Sequence, residues 1–192
     1  MSILPITIKY IIISTSLNPK SRTRVLAKTF FESISSTQKN VELIDLVNYN
    51  LPICDGDSAY SNENVGNLMA KIKEANSIIL CSPIYNYDMN SSAKNLLELT
   101  GQAWRNKIVG FACTAGGKGS YMAPMGFANS LMVDFRCIIL PRFVYATEPE
   151  ITKQSINSQE LLIRIEELSK TLIHFTTALA PHLSILSLGQ GN

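Results

Sequence analysis

The sequence predicts an α/β fold in which a five-stranded parallel sheet, in the order 2-1-3-4-5, lies between two layers of helices. Short apolar runs and amphipathic segments alternate five times along the 192 residues, as repeated strand-helix units require. The apolar runs are continuous, which is typical of strands buried on both faces of a parallel sheet. No linker rich in proline, glycine and serine interrupts the pattern, so residues 1–192 are predicted to form a single domain.

The first two strand-helix units follow from local composition and periodicity. β-Branched residues predict a first strand over residues 6–13. Apolar residues at helical spacing predict a helix over residues 21–35. A second strand is predicted over residues 41–46, and after a loop the next helix is predicted around residues 65–72.

The remaining strands are predicted in the same way. The third strand spans residues 77–82 and leads into a helix around residues 93–100. The fourth strand spans residues 107–114 and leads into a helix that ends near residue 133. The fifth strand is predicted over residues 137–140.

The last helix is predicted over residues 158–179, where apolar residues recur at alternating spacings of four and three. Such a seam packs either on the sheet of its own chain or on a partner chain, and periodicity leaves both open. The seam consists of Leu161, Ile165, Leu168, Leu172, Phe175 and Leu179.

The composition limits which binding partners and which cellular location can be expected. A net charge of +2, from 17 basic and 15 acidic residues, gives no reason to expect a nucleic acid or a membrane surface as partner. The four cysteines form no CxxC pair and no disulfide framework, which predicts buried thiols in a reducing compartment. The first residues lack the features of a signal peptide, and no apolar run reaches membrane-spanning length. A cytoplasmic protein is therefore predicted.

The loop after the first strand, residues 14–24, combines hydroxyl side chains, an amide and three cations. Hydroxyls and backbone N–H groups at a helix N-terminus suit a phosphate. Lys20, Arg22 and Arg24 oppose the dipole of the following helix, which favours a nearby anion. A capped and solvated basic turn is the alternative. Neither a glycine-rich nucleotide motif nor the strand-end carboxylate of a phosphoacceptor domain is present.

The turn after the third strand is the most distinctive in the sequence. It is crowded with aromatic and polar side chains, among them Tyr85, Asn86 and Tyr87. In the flavodoxin-like arrangement, order 2-1-3-4-5, this turn and the loop after the first strand meet where the winding reverses and ligands bind. Aromatic walls and backbone donors at that position suit a planar ligand, whereas ordinary loop packing is the alternative.

Three motifs together resemble a known family. They are residues 16–27, Pro83-Ile84-Tyr85-Asn86 with Lys94-Asn95, and Thr114-Ala115-Gly116-Gly117. These segments are similar to the phosphate loop, the Pro-x-Tyr-Asn segment and the glycine-rich flavin loop of the NADPH-dependent FMN reductases, which include quinone, chromate and azo-dye reductases. The resemblance extends from about Ile8 to Leu140.

The resemblance implies FMN as cofactor, NADPH or NADH as co-substrate, and a set of flavin contacts. The residues that would hold the phosphate are Ser16, Ser21 and Thr23, helped by Arg22 and Asn18. The residues that would line the isoalloxazine, mainly through backbone groups and Tyr85, are Pro83, Ile84, Tyr85 and Asn86. The residues that would contact its far edge are Thr114, Gly116 and Gly117.

The sequence departs from the family pattern at four places. Asn18 replaces the loop arginine, Thr23 replaces an asparagine, and Ile84 replaces a glutamate. Asn90-Ser91 replaces Pro-Gly. The last two changes fall on the wall that nicotinamide or substrate would approach, so the resemblance predicts the flavin and leaves the acceptor open.

The predicted function is an FMN-dependent NAD(P)H oxidoreductase that passes a hydride through FMN to a small-molecule acceptor such as a quinone or free flavin. The flavin carries the chemistry, so no catalytic side chain and no metal is predicted. The alternatives are a non-enzymatic flavodoxin-like electron carrier and a family member that has lost flavin and acts as an interaction module. The resemblance also implies a homodimer or homotetramer, with the C-terminal seam or residues 86–95 as the interface.

Overall fold

The computed structural model describes residues 7–188, with side chains as far as Leu183. The strands are β1 (Tyr10–Ser14), β2 (Val41–Asp45), β3 (Ser77–Tyr85), β4 (Asp88–Met89), β5 (Ile108–Ala115), β6 (Ile138–Ile139) and β7 (Val144–Thr147). The α-helices are α1 (Arg22–Ser35), α2 (Glu63–Glu74), α3 (Ser91–Thr100), α4 (Pro124–Phe135) and α5 (Gln159–Leu188). None of the helices in the described residues has the length and hydropathy needed to cross a membrane.

The sheet confirms the predicted α/β fold. Its parallel strands lie in the order β2-β1-β3-β5-β6, and β7 also pairs with β5. Since β4 is a short antiparallel addition to β3, this is the predicted order 2-1-3-4-5. Side chains from α1 and α5 pack on one face of the sheet, and side chains from α2, α3 and α4 pack on the other. The carboxyl ends of β1, β3 and β5 therefore form one edge.

The fifth strand differs from the prediction because it is split. The segment predicted as residues 137–140 contributes only β6, and the unpredicted β7 pairs along the second half of β5, from Ala112↔Val144 to Ala115↔Thr147. Pro141, which has no N–H to donate, and Arg142, with a φ of 57°, interrupt the strand between them. This interruption conceals β7 in the sequence.

Three further elements, β1, β3 and α5, have other boundaries than predicted. β1 begins at Tyr10, and part of the strand predicted over residues 6–13 lies outside the described residues. β3 continues to Tyr85, three residues beyond the predicted end. α5 continues to Leu188, and most of its seam is buried on the sheet of its own chain, with Leu161, Ile165, Leu168 and Leu172 at most 4% exposed.

Gly110 lies at a close approach in the centre of β5. A Cβ atom at this position would lie 2.8 Å from Cδ1 of the buried Ile79. We therefore expect Gly110→Ala to lower the free energy of unfolding by about 1–3 kcal/mol through overpacking. Urea unfolding followed by circular dichroism measures the change. The matched control is Gly126→Ala, an exposed site in α4 with open space around it, which should stabilise by about 0.5–1 kcal/mol. Equal effects of the two changes would contradict the packing argument.

Candidate functional site

The loop between β1 and α1 is held by its own hydroxyls. Ser21 caps α1, since its Oγ accepts a hydrogen bond of 3.1 Å from the Thr23 backbone N–H. The Ser16 and Asn18 side chains accept bonds from the backbone N–H groups of Asn18 and Lys20. Thr23 is fully buried, and its Oγ1 lies 2.6 Å from Oγ1 of Thr114 at the end of β5. The predicted phosphate loop and glycine loop are thus joined by one buried hydrogen bond.

Asn90 joins the same loop to β3. Its buried side-chain oxygen accepts hydrogen bonds from Thr15 Oγ1 at 2.7 Å and Ser82 Oγ at 2.9 Å. Its side-chain NH₂ donates to the Thr15 carbonyl at 2.9 Å. Asn90 is also the residue before α3, and its side chain joins the loop after β1 to the carboxyl half of β3. The sequence motif shows Asn90 only as a departure from a Pro-Gly pair, with no signal for this bridging role.

Two of the three cations of the loop, Arg22 and Arg24, form ion pairs within the chain. Arg24 forms an ion pair with Asp45 at the end of β2 and donates to the carbonyls of Asn18 and Pro19. Arg22 pairs with Glu148, with Nη1 2.7 Å from Oε1. Asp45 and Glu148 thus supply negative charge beside the start of α1, where a helix dipole favours it.

A two-residue hairpin follows β3. Ile84 pairs with Met89 and Tyr85 with Asp88, and the connecting residues Asn86 and Tyr87 have φ values of 52° and 64°. Positive φ at both positions is the signature of a type I′ hairpin turn. The segment predicted as one long turn is therefore the end of β3 followed by this tight hairpin.

The hairpin and the loop after β5 enclose an open cleft of about 410 Å³. Four predicted flavin contacts line it, together with four residues that were not predicted. The predicted ones are Ile84, Asn86, Gly116 and Gly117, and the others are Tyr87, Ala115, Gly119 and Ser120. Pro83 and Thr114 lie directly below, paired in the β3-β5 register. Tyr85 does not line the cleft and is 55% exposed.

Tyr145 holds the glycine loop in place. Its hydroxyl donates to the Gly117 carbonyl at 2.9 Å and shares a hydrogen bond of 2.7 Å with Ser120. Tyr145 lies on β7, the strand that the sequence concealed, so its role had no signal in the sequence.

Thiol chemistry is disfavoured at the two cysteines beside the site. Burial raises the pKa of Cys81 and of Cys113, which lie in β3 and β5. Protonated, buried thiols are poor nucleophiles. Cys137 is buried as well, and Cys54 is partly exposed.

The site offers groups that fit a phosphorylated planar cofactor. The Ser14 hydroxyl at the end of β1 is buried without a hydrogen-bond partner in residues 7–188. Buried polar groups are nearly always paired, so this hydroxyl, beside a loop of serines and threonines, fits a site that binds a polar ligand. A flat ligand in the adjoining cleft would meet Ile84, Tyr87 and the glycine loop.

Glu150 fixes the turn that follows β7. Partial burial opposes its ionisation, but hydrogen bonds from the Thr147 backbone N–H and hydroxyl, together with Arg164, outweigh that effect and hold the pKa of Glu150 below its usual value. The stabilisation is therefore present above the unfolded-state pKa and is lost as the pH falls through the lower folded-state value.

We expect Glu150→Gln to flatten the decline in unfolding free energy below about pH 5, because the variant has no carboxylate to protonate there. Urea midpoints measured between about pH 7 and pH 3 test this expectation. Glu160→Gln, which alters an exposed carboxylate on α5, should retain the wild-type slope. A wild-type slope in Glu150→Gln would contradict the assignment.

Comparison with known proteins identifies the family. The family model for NADPH-dependent FMN reductases matches residues 8–149. The chain belongs to this family. It is 27% identical over 70% of its length to an NAD(P)H-dependent FAD/FMN reductase of Geobacillus thermodenitrificans, of which 75% is covered. It is 31% identical over 57% of its length to an NADPH azoreductase of a Bacillus species, of which 60% is covered.

Solved structures show the same fold. The chain superposes on RosB, solved with bound 8-demethyl-8-formylriboflavin-5'-phosphate, with a TM-score of 0.76 at 17% identity, over 94% of this chain and 84% of that one. Membership of the reductase family confirms the predicted class: the protein is an oxidoreductase, with FMN as cofactor and NAD(P)H as the source of electrons.

Proposed function

We propose that FMN lies across the carboxyl ends of β1, β3 and β5. Its phosphate would be held in the β1-α1 loop by Ser16, Ser21 and Thr23, and its isoalloxazine would occupy the cleft between the hairpin and the glycine loop. The buried hydrogen bond between Thr23 and Thr114 carries the proposal, because it holds the start of α1 against the end of β5 and so places the two loops side by side.

When bound, FMN accepts a hydride from NAD(P)H and delivers electrons to a second substrate. The chain's own residues bind and orient. Ile84 and Tyr87 would form an apolar wall, while Gly116 and Gly117 allow the backbone to approach the ligand closely. Tyr87 is the one residue with a titratable side chain among the eight that line the cleft, so protons needed by the acceptor would come from solvent.

The acceptor that fits this site is a small planar molecule, such as a quinone or free flavin. The cleft is open, and Tyr87 at its rim is 75% exposed. An exposed aromatic side chain favours stacking of a flat substrate on the outer face of the flavin. An azo dye has the same flat geometry, and a relative named as an azoreductase supports testing it.

A homo-oligomer in the cytoplasm is part of the proposal. α4 is apolar on two faces: Phe127, Leu131 and Phe135 lie in the core, and a row of apolar residues lies on the surface. The exposed residues are Met125, Met132 and Val133 on α4, with Met122 just before the helix. A group of large exposed apolar side chains is often covered by a partner. Light scattering should give a dimer or tetramer, which Val133→Asp should dissociate; a wild-type monomer would refute the assembly.

The function is tested by adding FMN to the purified protein. We expect quenching of flavin fluorescence with a micromolar or lower Kd, and FMN-dependent oxidation of NADPH or NADH when a quinone is present. Parallel titrations with the two nucleotides identify the preferred one. FMN binding without NAD(P)H oxidation would instead support an electron carrier, and absence of FMN binding would support an interaction module.

A further inference from the structure

The ion pair between Arg22 and Glu148 lies at the start of α1. Arg22 is the first residue of the helix, directly after its cap, and its side chain is 22% exposed. Glu148 belongs to the turn after β7, and its side chain is 71% exposed. In the part of the chain that the structure describes, Arg22 is the one cation within ion-pair distance of Glu148.

The other two cations of the loop differ from Arg22. Arg24 forms an ion pair with Asp45 and donates hydrogen bonds to two backbone carbonyls of the loop, so its role is to hold the loop in place. Lys20 is exposed. The first turn of α1 contains no acidic residue. Glu148 therefore brings a carboxylate from a distant part of the chain to a helix start that favours anions.

We propose that the Glu148 carboxylate competes with the phosphate of FMN for Arg22. When FMN binds, Arg22 leaves Glu148 and pairs with the phosphate. This inference rests on the proposed FMN site. An ion pair with one exposed partner contributes little, whereas a phosphate accepts two charge-assisted hydrogen bonds from a guanidinium. The displaced carboxylate stays close to the phosphate and repels it. Glu148 thereby lowers the affinity for phosphorylated flavin and has no such effect on riboflavin, which lacks the phosphate.

The turn does not depend on Glu148 for its structure. Glu150 holds it, through hydrogen bonds of 2.9 and 3.1 Å from Thr147 and an ion pair with Arg164. The carboxylate of Glu148 projects from this fixed turn towards α1. Replacing it with an amide should therefore leave the fold intact and remove only the charge.

The test compares Kd values for FMN and riboflavin, measured by fluorescence quenching at one fixed ionic strength. We expect Glu148→Gln to tighten FMN binding about three- to tenfold and to leave riboflavin within about twofold. Arg22→Gln should weaken FMN binding, and in that background Glu148→Gln should have a smaller effect. The control is Glu98→Gln, another ion-paired carboxylate, on α3, which should leave both Kd values within about twofold.

Unchanged or weaker FMN binding in Glu148→Gln, or an equal gain for riboflavin, would overturn the competitor role. If the wild type still binds FMN, that result leaves the proposed function standing. Failure of both the wild type and Glu148→Gln to bind FMN would overturn the function and the inference together.

Discussion

Asn90→Ala is expected to lower the free energy of unfolding by about 2–4 kcal/mol and to weaken FMN binding at least about tenfold. The change removes one buried acceptor and one buried donor. The Thr15 carbonyl and the hydroxyls of Thr15 and Ser82 then lose a partner in a buried site. Because these groups set the relative position of the β1-α1 loop and β3, the two halves of the flavin site lose their alignment.

Denaturant unfolding and an FMN titration, run on the same preparation, measure the two effects. The matched control is Asn95→Ala. Asn95 also bridges two segments, donating to the Pro52 carbonyl at 2.8 Å and accepting from the Cys54 N–H at 2.8 Å. It ties down the loop after β2 and should cost stability while leaving the Kd for FMN within about twofold. Equal losses of FMN affinity in both variants would show that Asn90 acts only through global stability.

Trp104→Ala is expected to lower the free energy of unfolding by about 3–5 kcal/mol. The ring is fully buried, and its Nε1 donates to Thr100 Oγ1 at 2.8 Å. The backbone carbonyl of Trp104 accepts a hydrogen bond from the Cys137 thiol. The residue therefore also links the segment after α3 to the segment just before β6. The cavity left by an indole in this core is too large for the surrounding side chains to fill.

Circular dichroism should follow the unfolding, since Trp104 is the chain's one tryptophan and the variant has lost its fluorescence signal. Trp104→Phe keeps most of the apolar volume and should cost about half as much. Trp104 precedes β5, at the amino end of the sheet, so FMN affinity should be unchanged in any folded variant. A Trp104→Ala protein within about 1 kcal/mol of the wild type would contradict the packing argument.

Most of the architecture was predictable because it depends on local signals. Short apolar runs predicted five of the six parallel strands that the structure describes, β1, β2, β3, β5 and β6, and the helical periodicity of α5 predicted its apolar seam. The serine-rich loop and the Pro83 to Asn86 segment indicated a ligand edge, since both follow strands that meet there. Their order along the chain was enough to fix which edge that is.

Other features could not be predicted because they depend on contacts between distant segments. β7 lies beyond Pro141 and Arg142, which end the preceding strand, and its identity as a strand comes from pairing with β5. In the hairpin turn, Asn86 and Tyr87 both have positive φ values. Asparagine commonly adopts this conformation, whereas tyrosine rarely does. The prediction from local sequence therefore ended β3 too early.

Hydrophobic periodicity and short motifs are local properties, and they were sufficient to predict the fold class, the ligand edge and the resemblance to flavin reductases. The contacts that hold the site together and set its charge join distant segments, so they became visible in the folded chain alone. Asn90 is only a departure from Pro-Gly in the motif comparison, whereas in the structure it joins the β1-α1 loop to β3. Arg22 was expected to attract a phosphate, and the structure gives it a carboxylate from the far end of the sheet. Pairings of this kind arise from chain topology, which brings residues together irrespective of their separation in sequence.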